Sequence, residues 1–242
     1  RPFRSPHHTI SPVALVGGGP WPKPGEISLA HGGVLFLDEF PQFRRDVVES
    51  LRAPLEDGEV IISRAKMQTT FPSRFLLAAS MNPCPCGYLT DPRRSCRCST
   101  GQIIKYQNKI SGPILDRIDL HVEVPNLPFQ TLTGDEIEES SEAIRRRIVR
   151  VREIQAKRFP DRIFKVNALM RSRDLKKFAA CDSEGRKLIE AAVKELHLSA
   201  RAYTKILKIG RTIADLGASE SLKAVHLAEA IQYRTLDRQW WA

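Results

Sequence analysis

The sequence predicts an α/β fold with a parallel sheet, followed by an all-α domain, on three observations. The first is Gly32-Gly33-Val34-Leu35-Phe36-Leu37-Asp38-Glu39-Phe40, an apolar run that opens on glycines and ends in two carboxylates. The second is Phe75-Leu76-Leu77-Ala78-Ala79-Ser80-Met81-Asn82, a similar run that also ends in a polar residue. The third is a change of period: strand signals stop after Pro125, and the rest of the chain repeats as helix does. Short continuous apolar runs of this kind read as strands buried on both faces, the setting of parallel sheets. In such sheets ligands sit beyond the carboxyl ends of the strands, which is where Asp38, Glu39 and Asn82 emerge.

Taken in order, residues 1–30 are dense in Pro, Gly and His and predict an extended segment and an insertion loop without regular helix. Gly17 to Gly19 lack the Lys and Ser/Thr of a phosphate cradle. His7-His8 read as loop residues, since no further metal ligand lies near them. Phe43 to Leu55 places Val47, Val48, Leu51 and Leu55 on one helical stripe, with Pro54 distorting its end. Val60-Ile61-Ile62 and Met67 to Phe71 flank Ser63-Arg64-Ala65-Lys66, a β-hairpin with a basic tip that is either solubilising or a nucleic-acid contact.

Four of the five cysteines, Cys84, Cys86, Cys96 and Cys98, fall within fifteen positions. Four thiolates suit tetrahedral zinc, although Cys-x-Cys departs from the commoner Cys-x-x-Cys, and free or redox-active thiols are the alternative. Cys181 reads as a core residue. Gln102 to Ile110 predicts a helix. Ser111 to Leu120 carries Arg117 between two aspartates and leads into a strand, His121 to Val124. Arg117 is either an intramolecular ion pair or an arginine offered to a neighbouring subunit's phosphate. Helices are expected over 140–158, 173–180, 183–196, 199–216 and 222–234, with Gly217 as a C-cap. The arginines at 145, 146, 147, 150 and 152 read as a solvated face. The domain boundary falls between residues 130 and 131.

A chain of 242 residues accommodates one large domain or two ordinary ones. Its net charge of +10 favours an anionic partner. No apolar run is long enough to span a bilayer and none reads as a signal peptide, so a cytoplasmic location is expected. Because the chain opens on Arg1 and not on Met, it is read as a segment of a longer protein.

With these residues in place the sequence resembles the Mg-chelatase-like AAA+ ATPases of the ComM/YifB group over essentially its whole length. The most specific pieces are Arg1-Pro2-Phe3-Arg4-Ser5-Pro6-His7-His8, Gly33 to Phe40, Met81-Asn82-Pro83-Cys84-Pro85-Cys86-Gly87 and Ser111 to Leu120. The resemblance implies an AAA+ core with an all-α lid. Within it Asp38 and Glu39 are the Walker-B carboxylates that hold Mg²⁺ and polarise water, and Asn82 is sensor 1. Arg117 matches the trans-acting arginine finger, and Arg201 in Leu198-Ser199-Ala200-Arg201 matches sensor 2, which binds ATP. It further implies ring hexamers that bind ATP between subunits and take part in DNA branch migration during natural transformation. The loop near Gly17 to Glu26 then corresponds to the helix-2 insertion. The Arg64/Lys66 hairpin corresponds to the pre-sensor-1 hairpin, which raises the weight of DNA contact there. The family's Walker-A phosphate cradle belongs upstream of Arg1. These residues alone are therefore expected neither to bind ATP tightly nor to hydrolyse it, and the sheet is expected to show a gap between the Phe75–Met81 and His121–Val124 strands. Two alternatives are a motor subunit inserting Mg²⁺ into a porphyrin, and a non-catalytic, zinc-stabilised module that binds nucleic acid or protein.

Overall fold

The computed structural model describes residues 1–64, 67–125 and 139–234. They fall in two compact units, Arg1–Ile118 and Asp119–Ala242, and the boundary expected at 130/131 lies outside the described residues. Unit 1 runs β1 (Phe3–Arg4), α1 (Pro12–Val16), β2 (Gly17–Gly18), β3 (Lys23–Pro24), α2 (Glu26–Leu29) and β4 (Val34–Leu37). A 3₁₀ turn (Phe40–Gln42) follows, then α3 (Arg45–Glu49), α4 (Arg52–Asp57), β5 (Glu59–Arg64), β6 (Met67–Pro72), β7 (Leu76–Ala79), α5 (Thr100–Gln107) and α6 (Gly112–Leu115).

Strands β1, β4 and β7 make a parallel sheet in that order, with Leu35 opposite Leu77 and Leu37 opposite Ala79. Gly33 is required where β4 begins. A Cβ there would lie 1.9 Å from the Pro2 carbonyl oxygen, which already accepts the Val34 N–H at 2.9 Å. Leu35 and Leu37 are fully buried and join Leu15, Ile27, Val47, Leu51 and Ile114 in one core. The opposite face corrects the expectation of a strand buried on both sides. Val34 and Phe36 are only half-buried, and their neighbours Phe3 and Leu76 are each 64% exposed, because the described core packs against the Leu35/Leu37 face.

The hairpin forms as β5 and β6, paired from Glu59 with Pro72 to Arg64 with Met67. Three other expectations are amended. The proline-rich start does hold helix, because Pro12 occupies the first turn of α1, where its missing N–H costs nothing, and Ser11 caps it by accepting the Ala14 N–H at 3.2 Å. The single helix over 43–55 divides into α3 and α4, and Pro54 sits in the first turn of α4 for the same reason. Residues 121–125 form no strand. Val122 and Val124 are 63% and 84% exposed, and an extended segment without a paired neighbour has no ladder to hold it; the His121 N–H instead donates to the Tyr233 carbonyl at 2.9 Å. Among the described residues β7 is thus the last strand of the sheet on that side.

Unit 2 is helical: α7 (Ser141–Arg158), a 3₁₀ turn (Asn167–Leu169), α8 (Ser172–Phe178), α9 (Ser183–Glu195), α10 (Ala200–Leu216) and α11 (Ala224–Gln232). Ser140, Asp182 and Ser199 cap α7, α9 and α10 by accepting backbone N–H groups, as their side chains are suited to do. Ile206, Leu207, Ala214, Leu222 and Leu227 form the core. Beside it lies a buried polar knot. Asp215 accepts both Arg158 Nη groups at 2.6 Å, Asn167 Nδ2 at 2.7 Å and Arg211 Nε at 3.0 Å, tying α7, the 3₁₀ turn and α10 together. None of the described helices is long and apolar enough to cross a membrane.

Helix α10 ends in a Schellman arrangement, with the Ser219 N–H on the Ala214 carbonyl at 2.8 Å and the Ala218 N–H on that of Asp215 at 3.2 Å. Gly217 has φ −80°, and the left-handed position falls on Ala218 at φ 51°. Replacing Ala218 by Gly is expected to stabilise the protein by up to about 1 kcal/mol, because an L-residue pays roughly 1–2 kcal/mol there and Gly gives back part of that gain as chain entropy; urea unfolding measures it. Burial alone would raise Asp215, yet the Arg158 and Asn167 hydrogen bonds hold it below the usual carboxylate range. Its stabilising contribution is therefore complete at neutral pH and is lost as the pH falls below about 4 and through its folded pKa. Asp215→Asn leaves Arg158 and Arg211 buried without a countercharge and is expected to cost about 3–5 kcal/mol in urea unfolding at pH 7 and about 1 kcal/mol less than that at pH 3.

Candidate functional site

The β4–β7 ladder continues past both strands. The Ser80 N–H donates to the Leu37 carbonyl at 3.0 Å and the Phe40 N–H to the Ser80 carbonyl at 2.9 Å, so the chain at Asp38-Glu39 is pushed out at the sheet's carboxyl edge, and both residues are exposed. Glu39 is left-handed (φ 51°, ψ 47°), a conformation costing a non-glycine residue roughly 1–2 kcal/mol. It is held by the Gln42 N–H on its own carbonyl at 2.7 Å and by burial of Phe40, Pro41 and Phe43 on the next turn. Asp38 Oδ1 accepts the Glu39 N–H at 2.9 Å and the Ser80 hydroxyl, which aims the carboxylate. Glu39 Oε2 lies 3.8 Å from His8 Nδ1, and His8 is itself packed on His7 and edge-on to Phe43.

Asn82 follows β7 and is exposed. Its backbone is hydrogen-bonded to the Tyr106 hydroxyl of α5, and Gln107 Nε2 donates to the Pro83 carbonyl at 3.2 Å. Burial, reinforced by the nearby Cys84 and Glu39 charges, pushes the Tyr106 phenol above its ordinary value. The capping box of Ser99 and Gln102 fixes where α5 starts, so one well-started helix braces the Asn82 segment. Ser80, His8 and Tyr106 had no mark in the sequence as site residues. Ser80 had one available signal: it follows Ala79 as Asp38 follows its partner Leu37 in the register.

Arg117 stands apart. Its guanidinium bonds the Glu56 carboxylate and donates to the Pro113 carbonyl at 2.9 Å, and its side chain is 13% exposed. The partner is Glu56, distant in sequence, and not one of the two aspartates that flank Arg117 in the chain. Arg201 lies exposed in the first turn of α10, in unit 2. Arg64 ends β5 beside the glycine loop, its Nη2 3.6 Å from where a Gly18 Cβ would stand, and Trp21 on that loop is 76% exposed. Lys66 lies outside the described residues.

The four clustered cysteines converge, with all their sulfurs within 4.8 Å of one another. Cys84 Sγ is 3.4 Å from Cys86 and 3.7 Å from Cys96, and Cys86 is 3.6 Å from Cys96. These separations are too long for a disulfide of about 2.05 Å. They are close to the edge of a tetrahedron, about 3.8 Å, set by zinc–sulfur bonds of about 2.3 Å. Gly87, at φ 81° with its N–H on the Cys84 carbonyl at 3.0 Å, makes the tight turn that lets a Cys-x-Cys pair face one point. Backbone hydrogen bonds at Tyr88 and Arg97 lower Cys86 to about 6, whereas burial and the neighbouring Cys86 sulfur push Cys98 up to about 12. The donor set thus fits zinc, with Cys84, Cys86, Cys96 and Cys98 as its holders.

The family profile described as magnesium chelatase, subunit ChlI, matches residues 1–132, and that of its C-terminal part matches residues 138–234. Over 98% of its length the chain is 50% identical to the competence protein ComM of Haemophilus influenzae and 44% identical to YifB of Escherichia coli K12, covering 46% of each. The chain therefore spans about half the length of these relatives. Over 112 residues it is 26% identical to a probable DNA helicase, MCM9, of Arabidopsis thaliana, of which it covers 16%.

Metal analysis of the purified protein is expected to find about one zinc per chain. Cys84→Ser should abolish stoichiometric binding and lower thermal stability, because structural zinc contributes folding energy directly. Full folding and stability without bound metal would contradict a structural zinc site.

Proposed function

The chain belongs to the magnesium chelatase subunit ChlI family, and from that premise we propose that it is the catalytic edge and lid of an ATP-driven AAA+ motor acting on DNA. The observation that carries the reading is the pair Asp38-Glu39 at the carboxyl end of β4, with Ser80 and Asn82 following the adjacent parallel strand. In this reading Asp38, aimed by Ser80, helps hold Mg²⁺. Glu39 polarises the attacking water, and Asn82 binds the terminal phosphate. Bound Mg²⁺ would bridge and neutralise phosphate oxygens. The Walker-A cradle is proposed to lie outside these 242 residues, so turnover is assigned to the longer protein and not to this segment alone.

Arg117 would serve the ATP of the next subunit in a hexameric ring, exchanging Glu56 for phosphate, and Arg201 would reach the nucleotide from the lid. DNA as substrate is supported by the net charge of +10, by Arg64 beside Gly18 of the loop that carries the exposed Trp21, and by the name of the MCM9 helicase. A cytoplasmic role in competence is part of this proposal. The family description itself favours a second reading, a motor that drives magnesium insertion into a porphyrin.

In the longer protein Glu39→Gln is expected to lower ATP turnover by about 10²–10⁴-fold, the usual worth of a positioned proton acceptor, while ATP still binds. Unchanged turnover would remove Glu39 from the chemistry. Stimulation of the wild-type ATPase by branched DNA, and not by porphyrin, is expected; the reverse would select the chelatase reading.

A further inference from the structure

A second feature of unit 1 lies outside the carboxylate edge. The segment Gln42–Arg45 and helix α5 enclose a cleft of about 390 Å³ whose polar lining is Gln42, Arg44, Arg45, Lys105, Asn108 and Lys109. Four of these six are cations, two from each wall, and no carboxylate lines the cleft. Arg44 is engaged by Asp46 at 2.7 Å, whereas Lys105 and Lys109 have no ion-pair partner among the described residues; Lys109 rests over the Tyr106 ring, 5.9 Å from its centre. Lys105, in the last turn of α5, and Asn108 and Lys109, in the turn that follows it, are all exposed. Cations gathered this way repel one another until an anion joins them, so the cleft is electrostatically complementary to several negative charges.

We propose that this cleft binds the phosphodiester backbone of a DNA strand, which rests on the DNA reading given above. Lysines and arginines facing each other across an open cleft, with Gln42 and Asn108 as further donors, suit phosphate oxygens. The aromatic residue that lines the cleft, Phe43, is buried, so it presents no ring for a base to stack on, and the contact is independent of sequence. The walls also carry the catalytic edge. Gln42 hydrogen-bonds the Glu39 carbonyl, while α5 holds Asn82 through Tyr106 and Pro83 through Gln107. A strand bridging the walls therefore bears on both Glu39 and Asn82, which couples DNA occupancy to hydrolysis.

The test uses the longer protein and a fluorescein-labelled oligothymidylate, with anisotropy read over a range of salt. Lys105→Ala/Lys109→Ala is expected to weaken binding about tenfold near 0.15 M salt and to flatten the logarithmic salt slope by about 1.4, the value for two lost single-strand phosphate contacts. Lys105→Arg/Lys109→Arg should retain both affinity and slope. Since these side chains are exposed, unchanged thermal unfolding identifies the loss as one of binding. If the double alanine variant binds as wild type while Arg64→Ala weakens binding, the cleft is not a DNA site and the DNA reading stands. If wild type does not bind the oligonucleotide, both fail. If inorganic phosphate occupies the cleft in a Lys105-dependent way while the oligonucleotide does not, the site is for a small anion and the proposal is overturned.

Discussion

The parallel pairing of β4 with β7 is the constraint on which the rest of unit 1 depends. It begins with the Gly32 N–H on the Arg74 carbonyl at 2.7 Å and runs to the Phe40 N–H on the Ser80 carbonyl. A slip of one residue would turn Leu35 and Leu37 out of the core, and burying two such side chains is worth about 1.5–3 kcal/mol each. That exceeds the roughly 1–2 kcal/mol stored in the left-handed Glu39. Apolar burial one and two turns of the pleat away thus holds a strained carboxylate at the sheet edge, and the same register places Ser80 against Asp38.

Helix α5 is the second brace. Its buried Tyr106 and its Gln107 grip the chain at Asn82 and Pro83, immediately before Cys84, the fully buried member of the sulfur cluster. The cysteine loop has little apolar mass of its own, and its four sulfurs surround one point where a bound zinc would supply the cohesion that a core otherwise gives. Asn82 is therefore held on one side by a strand and on another by a helix, and leads along the chain into the sulfur cluster. An amide expected to meet a phosphate needs such rigidity, since a misplaced donor loses much of its electrostatic effect.

Much of this was legible in the sequence where the signal is local and repeated: the apolar runs, the hairpin, and the helical period of unit 2. The misses share a cause. The segment 121–124 alternates as a strand should, but a strand is made by its neighbour, and Val122 and Val124 meet none among the described residues. Phe36 sits in an apolar run, yet whether its face is covered depends on what packs there. Gly217 caps α10 where the sequence placed it, and what the residue type did not mark is that the hydrogen-bond pattern puts the left-handed position on Ala218. The partners that aim the site, Ser80 on Asp38 and Glu56 on Arg117, lie 42 and 61 residues away, a separation that no local pattern bridges.

Burial decides what each arginine can do, although on paper the two ion-paired arginines look alike. Arg158 is 12% exposed and its partner Asp215 1%, with Asn167 and Arg211 completing the carboxylate's hydrogen bonds. Separating that pair strands charge in a dry interior, so Arg158 is a fixed strut. Arg117 is 13% exposed, but its partner Glu56 is 47% exposed, and the Arg117 Nε has no hydrogen-bond partner among the described residues. A carboxylate that keeps its water loses little when its cation leaves, and such pairs are generally worth only about 0–1 kcal/mol. The multiple charge of a phosphate cluster is a far stronger attraction than one hydrated carboxylate. Glu56 thus holds Arg117 oriented through a pair that costs little to break, which is what the proposed exchange of Glu56 for phosphate would require.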